Sequence, residues 1–178
     1  IPLWALNVTG LSAEAVSKRS AGDLRVIAST TNCLPEGAPV DNPEWRDAID
    51  CVLKEVERLT LVGNLDRAGR LLPEVEALAR DISYENGISK AAAFNGDLLI
   101  LQGRYGQAVN LLLKAWEQYQ DTENGLMIGN LLAGAYRLQG DYAEAYHLYT
   151  RLIEDADEKS DPVLEAGLKQ NLAVVYEQ

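Results

Sequence analysis

The sequence predicts an all-α fold, a solenoid of antiparallel helical hairpins. Two observations carry this. A Gly-x-(Leu or Tyr)-x-x-Ala pattern recurs at Gly63, Gly103 and Gly140, 40 and 37 residues apart, and a period in this range belongs to stacked helical hairpins. Between these points apolar residues return at spacings of three and four, the period of a helix with one buried face. The hydrophobic class, 47% of the chain, leans on Leu, Ala and Val with a single Phe, which favours helices over aromatic-rich strands.

Residues 1–40 differ from the rest and read as an N-terminal extension or cap, partly loop. Ile1-Pro2-Leu3-Trp4-Ala5-Leu6 is apolar, and Ala13-Glu14-Ala15 fits the small-x-small pattern of a signal-peptidase site. The tail of an export signal and an ordinary N-terminal element packed on the core both account for it. Asn7-Val8-Thr9 is a glycosylation sequon, informative only in a secreted eukaryotic context. Ser12 is placed to cap a short helix, and Leu24–Ile27 suits strand or helix equally. Ser29–Asn32 and Pro35–Pro39 read as loop. The two cysteines, Cys33 and Cys51, suit a disulfide in an oxidising compartment or two free buried thiols. Their spacing matches no zinc or redox motif.

Residues 41–178 form the repeat domain. Asn42-Pro43-Glu44 starts a helix, with a capping side chain, Pro at the first position and an acid in the first turn. Ile49, Val52, Leu53, Val56 and Leu59 then line one face, and Gly63-Asn64 breaks the helix. The next run carries Leu65, Ala68, Leu72, Val75 and Leu78, with Pro73 inside it predicting a kink or a delayed start. The turn pattern returns at Gly103 and Gly140. A second register supports it: Leu132, Ala133 and Tyr136 align with Leu172, Ala173 and Tyr176 at an offset of 40.

These residues resemble the tetratricopeptide repeat (TPR) family. Its first helix reads roughly Leu-(Gly/Ala)-x-x-Tyr and is followed by a Gly-x-Tyr-x-x-Ala turn into a second helix. Residues 126–154 carry the fullest match, with Leu132, Ala133, Tyr136, Gly140, Tyr142, Ala145, Tyr149 and Leu152 at signature positions. Residues 89–119 match from Gly96 to Ala115, with Leu99 in place of Tyr, and residues 49–81 match only at the turn and second helix. The resemblance implies about three and a half repeats wound into a right-handed superhelix. The last unit, from about Asp161, stops before its own turn and leaves Leu168, Leu172, Val175 and Tyr176 either packed on the preceding unit or awaiting more chain. A piece of a longer array or protein is therefore expected.

No catalytic signature is present. There is no Gly-x-Ser-x-Gly elbow, phosphate loop or dinucleotide fingerprint. The lone His147 reads as structural. The acidic run from Glu154 to Asp161 lacks the Gly and Glu that a calcium loop requires, and reads as an inter-repeat loop. No cofactor or metal is expected, and no enzymatic activity. No stretch of ~20 apolar residues spans a membrane. A net charge of −11 without any Lys/Arg run disfavours nucleic acid.

The resemblance instead implies a protein or peptide partner in a concave groove lined by the first helices. In the family's register the groove takes Asp50, Leu53, Glu57, Thr60 and Leu61 from the first unit, and Lys90, Ala93, Asp97 and Leu101 from the second. The third gives Met127, Asn130, Gly134, Arg137 and Leu138, and the last Gln170, Asn171 and Val174. Lys90, Asp97, Met127, Asn130, Arg137, Gln170 and Asn171 are the partner-binding candidates, since amides bond a peptide backbone and Arg pairs with carboxylates. Asp50, Glu57 and Asp97 interrupt any basic surface, which argues for a mixed or apolar ligand over a carboxylate clamp. The expected function is an interaction scaffold. The alternative is a sensory or regulatory input domain of a larger signalling protein, exported to the periplasm or cytoplasmic, with export the direction in which the N-terminal features lean.

Overall fold

A computed structural model describes Cys33 and residues 44–158 and 162–177. The features read at residues 1–32, Pro35–Pro39 and Asn42-Pro43 lie outside these. Among the described residues seven helices follow in order: α1 (Glu44–Leu61), α2 (Leu65–Asp81), α3 (Glu85–Leu101), α4 (Tyr105–Tyr119), α5 (Gly125–Gln139), α6 (Tyr142–Glu158) and α7 (Pro162–Tyr176). Consecutive helices pack on each other as hairpins, α1–α2, α3–α4 and α5–α6, with α7 laid on the last. Among the described residues there is no strand.

The hairpin bends fall at the three glycines that set the period. Gly63, Gly103 and Gly140 have φ of 75°, 71° and 98°. At each, the next residue's amide reaches back to close the helix end: Asn64 N to Leu59 O at 2.8 Å, Arg104 N to Leu99 O at 2.9 Å, and Asp141 N to Tyr136 O at 2.9 Å. This left-handed cap satisfies carbonyls that would otherwise be orphaned, and glycine adopts it at least cost.

The core runs the length of the stack. Ile49, Val52, Val56 and Leu59 of α1, and Ala68, Leu72 and Val75 of α2, are buried as the periodicity predicts. Small residues mark the closest approaches: a side chain at Gly96 would meet Leu112, and one at Gly129 would meet Leu152 and Trp116. Ala108, Ala133 and Ala145 are wholly buried.

Three expectations are amended. The helix α2 starts at Leu65 and runs through Pro73, so its start is not delayed. The carbonyl that the proline ring crowds is that of Gly69, which has no Cβ to resist a local tilt. Glu154, Asp155 and Glu158 belong to α6, so the acidic run begins as helix, and its remainder lies outside the described residues. In α7, Leu168 and Val175 are buried against the preceding hairpin, whereas Ala173 is exposed where its equivalent, Ala133, is buried. No second helix covers α7 among the described residues.

Candidate interaction surface

The helices fall into two rows. Each first helix touches the next one, α1 to α3, α3 to α5 and α5 to α7, while α2, α4 and α6 stand apart. A row whose members abut is the inner row of a curved stack, and the splayed row is the outer one. Between α2 and α4 the splay opens an outer groove of about 440 Å³, with Ala92 of α3 at its floor and Glu76, Arg80, Lys114 and Gln118 at its rim.

This fixes which side of α3 faces inward. Ala92 faces the outer groove. At 3.6 residues per turn, Lys90, Phe94, Asp97 and Leu101 share the opposite side. They are partly or well exposed, whereas Leu98, Leu99 and Ile88 are buried. On α5 the same positions hold Met127, Leu131, Gly134 and Leu138, and on α1 they hold Asp50, Lys54, Glu57 and Leu61.

The predicted groove residues therefore divide. Lys90, Asp97 and Met127 lie on the inward band. Asn130 sits at its edge and joins the next unit, accepting a 3.1 Å hydrogen bond on Oδ1 from Asn171 Nδ2 of α7. Gln170 is exposed beside Asn171 on α7. Arg137 turns toward α6. Its guanidinium lies beside the Tyr149 hydroxyl, and its Nε is buried without a hydrogen-bond partner. Burial raises the Tyr149 pKa, and Arg137 counters part of that rise. Leu53 and Ala93 are buried, at 2% and 0% exposure, and do not line the groove. They lie one residue, or 100° around the helix, before the inward positions Lys54 and Phe94, which the register missed.

Asp97 is a partly buried carboxylate of the band. Burial pushes its pKa up. Toward the start of the first helices a polar chain crosses the units. Tyr84 Oη donates to Asp50 Oδ2 at 2.9 Å, and Asn86 Nδ2 donates to Tyr84 Oη at 3.4 Å. The buried Asn124 Nδ2 then donates to Asn86 Oδ1 at 2.6 Å and to Ser89 Oγ at 2.8 Å. Burial and the Asp50 carboxylate both raise the Tyr84 pKa, and the Arg46 guanidinium lies 5.5 Å from the Tyr84 ring centroid. Asp50 Oδ1 is buried and unpartnered. Sequence reasoning missed this network because its bonds between units join residues 34 to 38 apart.

Elsewhere, Cys33 and Cys51 are joined by a disulfide, with Cα atoms 5.6 Å apart. His147 is exposed, its ring edge-on to Tyr146 at 5.5 Å. Among the described residues, no three His, Cys, Asp or Glu side chains gather where a metal could sit, and no helix is long and apolar enough to cross a membrane.

No family model matches the sequence, and no curated protein matches it. A solved structure does. It is a Podosopora anserina protein assigned to the kinesin light chains and built of nearly identical TPR-like repeats. It superposes with a TM-score of 0.58 over 91% of this chain and 78% of that one, at 17% identity. The chain has a TPR-like repeat fold. The likeness lies in the TPR-like hairpins alone, since at this identity it carries no ligand across.

Proposed function

We propose that this chain is a non-enzymatic scaffold that holds a segment of a partner protein across its first helices. One observation carries the reading: α1, α3, α5 and α7 abut in an unbroken row, so their inward faces form one band of charged, amide and apolar groups. Lys90, Asp97, Met127, Asn130, Gln170 and Asn171 are the contacts we assign to it, with Arg137 supporting the floor at its edge. The net charge of −11 makes a protein partner the better fit than nucleic acid. The test is site-directed photo-crosslinking. A crosslinker at Lys90 or Gln170 should capture a partner, and one at Gln107 on the outer groove should not. Capture from Gln107 alone would refute the assignment.

A second reading concerns setting. We infer that the chain works in an oxidising, exported setting, supported by the Cys33–Cys51 disulfide, since such bonds persist in oxidising compartments. Protein isolated with an alkylating agent should show no free thiol. Two alkylated cysteines would remove this reading.

A further inference from the structure

The three complete first helices carry the same exposed residue in their last turn. Leu61, Leu101 and Leu138 are 80%, 51% and 38% exposed, and they are separated by 40 and 37 residues, the offsets of the turn glycines. Large apolar side chains repeated at one position of adjacent repeats form a row across the stack, whereas singly scattered ones need no explanation. One turn earlier on α1 and α3 stand Glu57 and Asp97. Asp97 is partly buried, and among the described residues no Lys or Arg forms an ion pair with it.

We propose that this leucine row, with Glu57 and Asp97 beside it, binds a basic, extended segment of a partner protein that carries apolar side chains at every third position. This rests on the scaffold reading above and names the partner's chemistry. Two arguments support it. The first is charge: the carboxylate of Asp97 has lost part of its hydration with no ion pair among the described residues to replace it, and a Lys or Arg side chain supplies one. The second is spacing. Packed neighbouring helices lie roughly 8–10 Å apart. A polyproline-type strand advances about 9 Å in three residues and returns to the same face. Residues i, i+3 and i+6 of such a segment would then meet Leu61, Leu101 and Leu138 in turn, leaving the intervening Lys or Arg to face Glu57 and Asp97.

The experiment is fluorescence anisotropy with a labelled synthetic peptide of repeating Leu-Lys-Pro, against a Leu-Glu-Pro twin. The lysine peptide should bind and the glutamate twin should not. Asp97→Asn and Leu101→Ser should each weaken binding about fivefold to tenfold, while Glu123→Gln, which removes one negative charge in the α4–α5 turn, should leave it within about twofold. An equal loss in Glu123→Gln would mean diffuse attraction to an acidic protein and would overturn the proposal. Binding of the glutamate twin, lost in Lys90→Ala, would overturn it while keeping the scaffold reading. Lysine-peptide binding indifferent to Leu101→Ser would overturn it too, and if a crosslinker at Gln107 then captures the peptide, the scaffold reading falls with it. A dimer in sedimentation equilibrium that Leu101→Ser dissolves would assign the row to a second copy and overturn the proposal.

Discussion

Gly96 and Leu112 offer the sharpest test of the hairpin packing. A Cβ placed on Gly96 would lie 2.3 Å, 2.5 Å and 2.8 Å from three carbons of the Leu112 side chain. Leu112 is wholly buried, so it has nowhere open to move. Overpacking of this kind costs about 1–3 kcal/mol, while replacing a mid-helix glycine with alanine gains about 1 kcal/mol. At contacts this short the upper part of that range applies, about 2–3 kcal/mol, so Gly96→Ala should destabilise by a net ~1–2 kcal/mol. Leu112→Ala alone should cost about 2–5 kcal/mol through the cavity it leaves. In that background the strain is gone and only the propensity gain remains, so adding Gly96→Ala should stabilise by ~1 kcal/mol. The sign of one substitution thus reverses with its neighbour, a coupling of about 2–3 kcal/mol. Urea unfolding followed by far-UV circular dichroism measures all four proteins, with midpoints compared only where the slopes agree. If Gly96→Ala stabilises equally in both backgrounds, α3 and α4 do not approach as closely as described, and the argument from small residues fails.

Three further outcomes are expected. Ser83 holds a φ of 53° between α2 and α3, a conformation that costs an L-residue about 1–2 kcal/mol. Allowing for the greater freedom of glycine in the unfolded chain, Ser83→Gly should raise stability by up to ~1 kcal/mol in urea melts, and a loss would contradict the geometry. Asn124→Ala removes the bonds that the residue preceding α5 makes to Asn86 and Ser89 of α3, and should cost about 1–3 kcal/mol. The same assay checks it, with Asn110→Ala on the exposed face of α4 as the near-neutral comparison. Burial raises the Asp97 pKa above its ordinary 3.8. A raised carboxylate pKa contributes stability that is present below the unfolded value and lost as pH rises through the folded one. Asp97→Asn should therefore be stabilising or neutral at pH 7 and flatten that part of the pH profile, even as it weakens lysine-peptide binding. Destabilisation at neutral pH would show that the carboxylate has a partner in the fold.

The legible parts of this fold are those where one residue type has one physical use. A hairpin bend at positive φ selects glycine, so Gly63, Gly103 and Gly140 mark the period directly. The turn between α2 and α3 adopts the same conformation with Ser83, and nothing about serine announces that. The turn between α4 and α5 is set by Gly125, where a Cβ would fall 2.1 Å from the Gln120 carbonyl oxygen, again a contact invisible without coordinates. The inward band was legible at the level of helix turns but not of single residues. A one-position error rotates a side chain by 100°, enough to exchange the buried Leu53 and Ala93 for the inward Lys54 and Phe94. Asn124 escaped notice because asparagine beside a helix start reads as a local cap, whereas here its amide is spent on the neighbouring repeat.

Packing and surface chemistry are also linked through unit-to-unit variation. The position equivalent to Gly96 is Val56 in the first hairpin and Ala133 in the third. The one equivalent to Leu112 is Leu72 in the first and Tyr149 in the third. The third hairpin thus holds the largest second-helix side chain of the three, and its hydroxyl must go somewhere. It reaches the inner row: a Cβ on Gly134 would lie 3.6 Å from the Tyr149 hydroxyl, and Arg137 lies beside it. In the second hairpin Leu112 carries no polar atom that far, and the residue equivalent to Gly134 is Asp97. A choice made for filling the core in one unit therefore sets the polarity of the groove floor in that unit. The inward band therefore changes along its length, with Glu57 and Asp97 beside Lys54 and Lys90 in the first two units and Gly134 at the equivalent place in the third.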